Sequence, residues 1–166
     1  MRLHHVGLTV GDLEASVEFY CSILGCRVRA RAEGAGEDLR TLTGVRDAHV
    51  RIADLDVPGG GWLELIQYLV PVQARLEQSR PQPGHTHLAF HTDDIEAAHR
   101  RLIERGFAPT SEPVMIEDPG GEWDGARAFY ATDPDGRTIE LVSLRGAGGA
   151  VPGAGAGSGR ERASRP

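Results

Sequence analysis

Four side chains in this 166-residue chain could do chemistry together: His5, Glu64, His87 and Glu140. They fall in stretches that repeat. His5-Val6-Gly7-Leu8-Thr9-Val10-Gly11-Asp12 is answered by His87-Leu88-Ala89-Phe90-His91-Thr92-Asp93-Asp94. Trp62-Leu63-Glu64-Leu65-Ile66 is answered by Thr138-Ile139-Glu140-Leu141-Val142. Apolar and polar residues alternate in each, the period of a half-buried strand. Val6, Leu8 and Val10 share one face, so His5, Gly7 and Thr9 take the other. Leu88 and Phe90 likewise leave His87, Ala89 and His91 opposite, and apolar neighbours flank both glutamates. Two imidazoles and two carboxylates on one concave sheet face would suit a divalent metal ion. Their charges balance a dication when both imidazoles are neutral, and open positions would take water or two adjacent substrate oxygens. His85 and His91 compete with His87 for the same face. His4 is expected to point away from His5, and His49 and His99 read as surface or structural residues.

The elements that position these residues follow from the same repeat. Asp12 and Asp94 are suited to cap helices whose apolar positions are Leu13, Val17, Cys21 and Leu24 in the first copy and Ile95, Ala98 and Leu102 in the second. Gly25 and Gly106 stand where left-handed helix ends are expected. Further strands are predicted over 26–32, 49–55 and 126–131, and Asp133-Pro134-Asp135-Gly136 is a turn signal. Each copy therefore reads as strand, helix and about three strands, an α+β chain of two βαβββ modules. We place the first module at 1–69, a connector at 70–84, the second module at 85–145 and a Gly/Ala/Arg tail at 146–166. The tail lacks the apolar residues needed to offset its ordering entropy and is expected to be flexible.

Composition narrows the classes of function. The chain is 40% hydrophobic and 25% charged, as one ordinary globular domain is, and has no long apolar run. A net charge of −6 argues against coating nucleic acid or an anionic membrane. All 18 basic residues are arginine, which we read as a mark of base composition rather than of function. The two cysteines, Cys21 and Cys26, lack a metal-binding spacing and read as reduced thiols, and the start of the chain does not read as a secretory signal. A cytoplasmic protein is expected.

The runs His5–Gly25, His87–Ile95 and Asp133–Leu141 together resemble the vicinal oxygen chelate superfamily, which includes glyoxalase I, methylmalonyl-CoA epimerase, extradiol dioxygenases, and fosfomycin and bleomycin resistance proteins. The resemblance covers about residues 3–144. It implies paired βαβββ modules forming a cup-shaped, mostly antiparallel sheet around a metal, with helices outside. Carried over by position, the ligands are His5, Glu64, His87 and Glu140, a set similar to that of glyoxalase I. The implied cofactor is one divalent ion per site (Ni, Co, Zn, Mn or Fe). Epimerases of this group commonly place Gln where Glu64 stands, bleomycin-binding members generally lack the ligand set, and fosfomycin-resistance enzymes need no fourth protein ligand.

Such an ion, chelating a carbonyl oxygen, would stabilise the charge left when an adjacent C–H loses its proton. The resemblance implies that Glu140 or Glu64 takes that proton, with substrate lying over Thr9, Trp62, Ile66, Tyr68 and Ala89. The expected function is a metal-dependent isomerase or lyase acting on a small molecule. The alternatives are a non-catalytic protein that binds an antibiotic or metabolite and, behind it, an iron dioxygenase, against which the fourth ligand counts. No cluster of arginines suited to an anionic substrate stands out. A homodimer is expected, with modules pairing within a chain or between chains.

Overall fold

The computed structural model describes residues 1–72, 74 and 83–145. Most of the expected connector and the whole expected tail lie outside these residues. The first module runs β1 (Val6–Thr9), α1 (Leu13–Ser22), β2 (Arg27–Ala35), α2 (Glu37–Thr43), β3 (His49–Asp56) and β4 (Trp62–Val70). The second runs β5 (His87–His91), α3 (Ile95–Glu104), β6 (Val114–Met115), β7 (Arg127–Thr132) and β8 (Thr138–Ser143). Each module contributes one four-stranded sheet, ordered β1-β4-β3-β2 and β5-β8-β7-β6. The first strand of each pairs in parallel with the last, and the other pairs are antiparallel. The chain is thus α+β, built of two βαβββ modules.

The helix signals act as expected. Asp12 accepts hydrogen bonds from the amides of Glu14 and Ala15, and Asp94 from that of Ala97. At the far end of α1 the chain turns through Gly25 at φ 72°, and Cys26 N–H closes back on Tyr20 C=O at 3.1 Å. Gly106, at φ 80°, gives α3 the same kind of exit. A side chain at either position would meet the left-handed penalty that glycine escapes.

Four elements depart from the sequence reading. Helix α2 was not expected: it buries no residue and leaves Leu42 exposed, so it has no apolar stripe to betray it. Strands β2 and β4 run beyond the predicted ends, to Ala35 and Val70. In the second module β6 is only two residues long.

The faces opposite the histidines and glutamates build the core. Leu8, Leu55, Leu63 and Leu65 of the first sheet and Phe129, Ala131, Ile139 and Leu141 of the second belong to one apolar cluster that also takes in Leu13, Val17, Tyr20, Ile95 and Leu102 from the helices. Glu14 pins α1 to its sheet from the rim, receiving Arg31 and Arg51; chiefly through Arg31, its carboxyl is held below the usual range. Cys26 is buried in this cluster, which pushes its thiol up to about 12, and Cys21 is raised for the same reason. Both are free thiols.

The modules are joined through the predicted turn. Tyr20 O–H donates to Asp133 Oδ2 at 3.0 Å, and Arg137 Nη1 reaches the same oxygen at 2.6 Å. Asp135 accepts from Gly11 N–H, while Arg137 Nη2 donates to Thr9 C=O at 3.1 Å. The edge of Phe107 meets the ring of Phe19, 4.7 Å between centroids. Burial and the nearby Asp133 charge raise the Tyr20 hydroxyl well above the ordinary tyrosine range, so it stays a donor. Tyr20→Phe removes one hydrogen bond to a buried carboxylate and should lower stability by about 1.5–3 kcal/mol in urea unfolding. A variant as stable as the parent would show that Arg137 and the turn amides satisfy Asp133 alone.

Candidate functional site

Each module presents one histidine and one glutamate as a pair. In the first, β1 and β4 run parallel with Gly7 opposite Glu64, so His5, two residues before Gly7, reaches the carboxylate on the same face. His5 Nε2 lies 3.6 Å from Glu64 Oε2. In the second, Ala89 stands opposite Glu140 in the parallel pair β5–β8, and His87 Nε2 lies 3.0 Å from Glu140 Oε2. The registers match residue for residue: the His stands two places before a small residue, Gly7 or Ala89, and the Glu stands across from that residue. Glu140 is the more buried carboxylate, its side chain 11% exposed against 25% for Glu64.

These spacings suit a metal. Two donors bound at about 2.1 Å on adjacent positions of one ion stand roughly 3.0 Å apart at a right angle and roughly 3.4 Å apart at a tetrahedral angle. Both nitrogen–oxygen pairs fall near that range. The donors, two imidazole nitrogens and two carboxylate oxygens, suit the borderline divalent ions.

One chain nevertheless keeps the four residues as two pairs. The two sheets are separate, and among the described residues no group of three or more His, Cys, Asp or Glu side chains gathers as a metal centre would require. The residues expected to share a concave face are seen as two His–Glu pairs, one on each sheet. Alternation fixes which way a side chain points from its own sheet. It is silent on how two sheets are set against each other.

The other expected site residues divide accordingly. Thr9 lies on β1, which follows His5, and Ile66 and Tyr68 lie on β4 with Glu64; Thr9 and Ile66 are directly paired and Tyr68 is opposite Val50. Trp62 stacks on His5, 4.5 Å between centroids at a 30° tilt, and carries the Arg29 guanidinium 5.4 Å from its ring. Ala89 lies on the second module, beside Glu140. His4 corrects the expectation from strand alternation: its Nδ1 is 2.8 Å from His5 Nδ1 and its ring meets Trp62, so it stays with His5. It can do so because β1 starts only at Val6, leaving His4 outside the pleat. Of the competing histidines, His85 approaches Thr138 Oγ1 at 3.4 Å and His91 ends β5; of those read as surface or structural, His49 pairs with Glu33 and buried His99 faces Ser111 C=O.

The sequence reading missed three residues on these faces. Tyr130 lies across from Glu140 and turns its ring edge to His87, 5.8 Å between centroids. Arg29 covers Trp62 while its Nη1 lies 3.7 Å from Asp56. Asp54 lies directly across β3–β4 from Glu64. Ile52, Asp54 and Asp56 alternate with buried Ala53 and Leu55, a signal present in the sequence.

Comparison with known proteins agrees with this architecture. The chain is 34% identical over 148 residues to a 2-epi-5-epi-valiolone epimerase from an Actinomyces species, covering 87% of this chain and 80% of that one. It is 26% identical to a lactoylglutathione lyase from Salmonella typhimurium, covering 89% and 96%. Its fold matches the crystal structure of a glyoxalase family protein from Bacillus cereus with a TM-score of 0.77 and 26% identity, over 88% of this chain and 95% of that one. The profile of one family spans residues 2–141, across both modules and all four of the paired residues. The chain belongs to the glyoxalase/bleomycin resistance protein/dioxygenase superfamily.

Proposed function

We propose that this protein is a metal-dependent isomerase or lyase that moves a proton beside a carbonyl, of the epimerase or glyoxalase I type. The observation that carries the reading is the pair of His–Glu contacts at matching register in the two modules. His5 and Glu64 would hold a divalent ion from one side, and His87 and Glu140 from the other. When bound, the ion supplies positive charge to a substrate oxygen and thereby acidifies the neighbouring C–H. Glu140 is the better base, because its carboxylate is the more shielded from water and sits beside Tyr130 and His87. Trp62, Ile66 and Tyr68 supply the apolar surface that orients the substrate. The relatives support the class: one is an epimerase and another a lyase.

A homodimer belongs to this proposal. One chain carries two half-sets of ligands, and a second copy set against it would face the first module of one with the second module of the other. Elemental analysis tests the metal assignment. Purified protein should retain about one divalent ion per chain, and His87→Ala or Glu140→Ala should lose it while circular dichroism remains unchanged. Equal metal content in the parent and both variants would overturn the ligand set. A metal-free parent with a tightly held organic molecule would point instead to a binding protein.

A further inference from the structure

We infer that His4 is a positioning residue for the first module's half-set of ligands. Its ring accepts a hydrogen bond from Nδ1 of His5 and thereby leaves His5 Nε2 as the coordinating nitrogen. The inference rests on the proposed use of His5 and Glu64 as metal ligands, and it deepens that reading.

The two ring nitrogens of His5 have different neighbours. Nε2 lies 3.6 Å from Glu64 Oε2, close to the spacing of two donors on one ion. Nδ1 lies 2.8 Å from Nδ1 of His4. Imidazole nitrogens come that near when one carries a proton and the other offers its lone pair. A metal takes a bare nitrogen, so coordination through His5 Nε2 requires the proton of that neutral ring to stand on Nδ1. His5 is then the donor and His4 the acceptor, with the His4 proton on its own Nε2. The bond selects the form of His5 that can serve as a ligand, and it fixes the orientation of the ring.

Three rings hold this arrangement. Trp62 lies against His5, 4.5 Å between centroids, and His4 meets the same Trp62 edge-on at 5.3 Å. His4 and His5 stand 5.1 Å apart at 73°, so each ring touches the other two. The backbone permits it, because β1 begins at Val6 and His4 precedes the pleat. The second module has no counterpart. Thr86 stands in the place of His4, and His85 approaches Thr138 instead. His87 is also the more exposed ring, 46% against 32% for His5. His4 itself is exposed, so water competes for its nitrogen. The expected effect therefore lies at the low end of what an outer partner of a metal ligand contributes.

Two substitutions separate the hydrogen bond from ring packing. His4→Phe keeps a ring against Trp62 and has no acceptor, whereas His4→Asn gives up the ring and keeps an acceptor at the Nδ1 position. Zinc affinity of the full-length protein can be measured by competition with a chromogenic chelator. His4→Phe should bind zinc about tenfold more weakly than the parent, and His4→Asn within about threefold of it. In the isotope-labelled, zinc-loaded parent, NMR should show a coupling across the hydrogen bond between the two Nδ1 nuclei, with the shared proton on His5. Equal zinc affinity in the parent and His4→Phe would overturn the inference. So would an equal loss in both variants, the mark of ring packing or of His4 coordinating zinc itself, or a zinc-loaded parent without that coupling. A parent that binds no zinc overturns the ligand set and this role with it. Failure of the inference alone is distinct, because it leaves the parent's own zinc affinity in place.

Discussion

Glu140→Gln should keep most of the bound metal and lose proton exchange by about 10²–10⁴-fold, the range general-base catalysis contributes. The amide oxygen still offers a ligand, but the side chain no longer accepts a proton at working pH. The readout is deuterium uptake beside the carbonyl in buffered D₂O. Dihydroxyacetone, the adduct of a 2-oxoaldehyde with a thiol, and an acyl-CoA serve as trial compounds. Glu64→Gln is the internal control. Its side chain is the more exposed of the two, 25% against 11%, and it has Asp54 rather than Tyr130 across the sheet. It should therefore exchange within about tenfold of the parent. If Glu64→Gln is the inert variant and Glu140→Gln is not, the base lies on the first module. If the metal-loaded parent exchanges none of the three compounds, the isomerase reading gives way to a binding protein.

The sequence revealed the modules and the paired residues because both rest on local rules. Asp12 and Asp94 mark helix starts by satisfying free amides, Gly25 and Gly106 mark helix exits by tolerating positive φ, and alternation around Glu64 and Glu140 fixes which side each carboxylate faces. These signals act within a few residues and survive without tertiary information. What was hidden depends on contacts between distant segments. Helix α2 is held in the loop between β2 and β3 without burying an apolar stripe, so no period announces it. Asp54 alternates correctly, but its place directly across from Glu64 appears only when β3 is registered against β4. The division of the four expected ligands into two pairs is a matter of module packing. That packing includes Tyr20 meeting Asp133 and Arg137 reaching Thr9, contacts 113 and 128 residues apart in sequence. No strand pattern encodes such a docking.

Two defective chains should rescue one another if the site is shared between copies. One chain carries His5→Ala and Glu64→Ala, and the other carries His87→Ala and Glu140→Ala. Alone, each lacks a half-set in every site it can form and should retain no metal. Light scattering should first show that the parent sediments and scatters as a species of twice 17.8 kDa. Co-expressed, half of randomly formed dimers are mixed, and each mixed dimer contains one site with an intact first module facing an intact second module. About one quarter of the parental metal and exchange activity should then return. If both half-sets of a site came from the same chain, mixing would return nothing, since neither chain owns a complete set. The expected rescue follows from the geometry of a single chain. His5 meets Glu64 and His87 meets Glu140, yet among the described residues no third ligand joins either pair. A pair of donors holds a borderline divalent ion far less firmly than four, so the proposed site needs both pairs, and rescue on mixing is the result expected if a second copy supplies one of them. Zero rescue together with full metal content in the parent would place that second pair within the same chain and demand a rearrangement of the two modules.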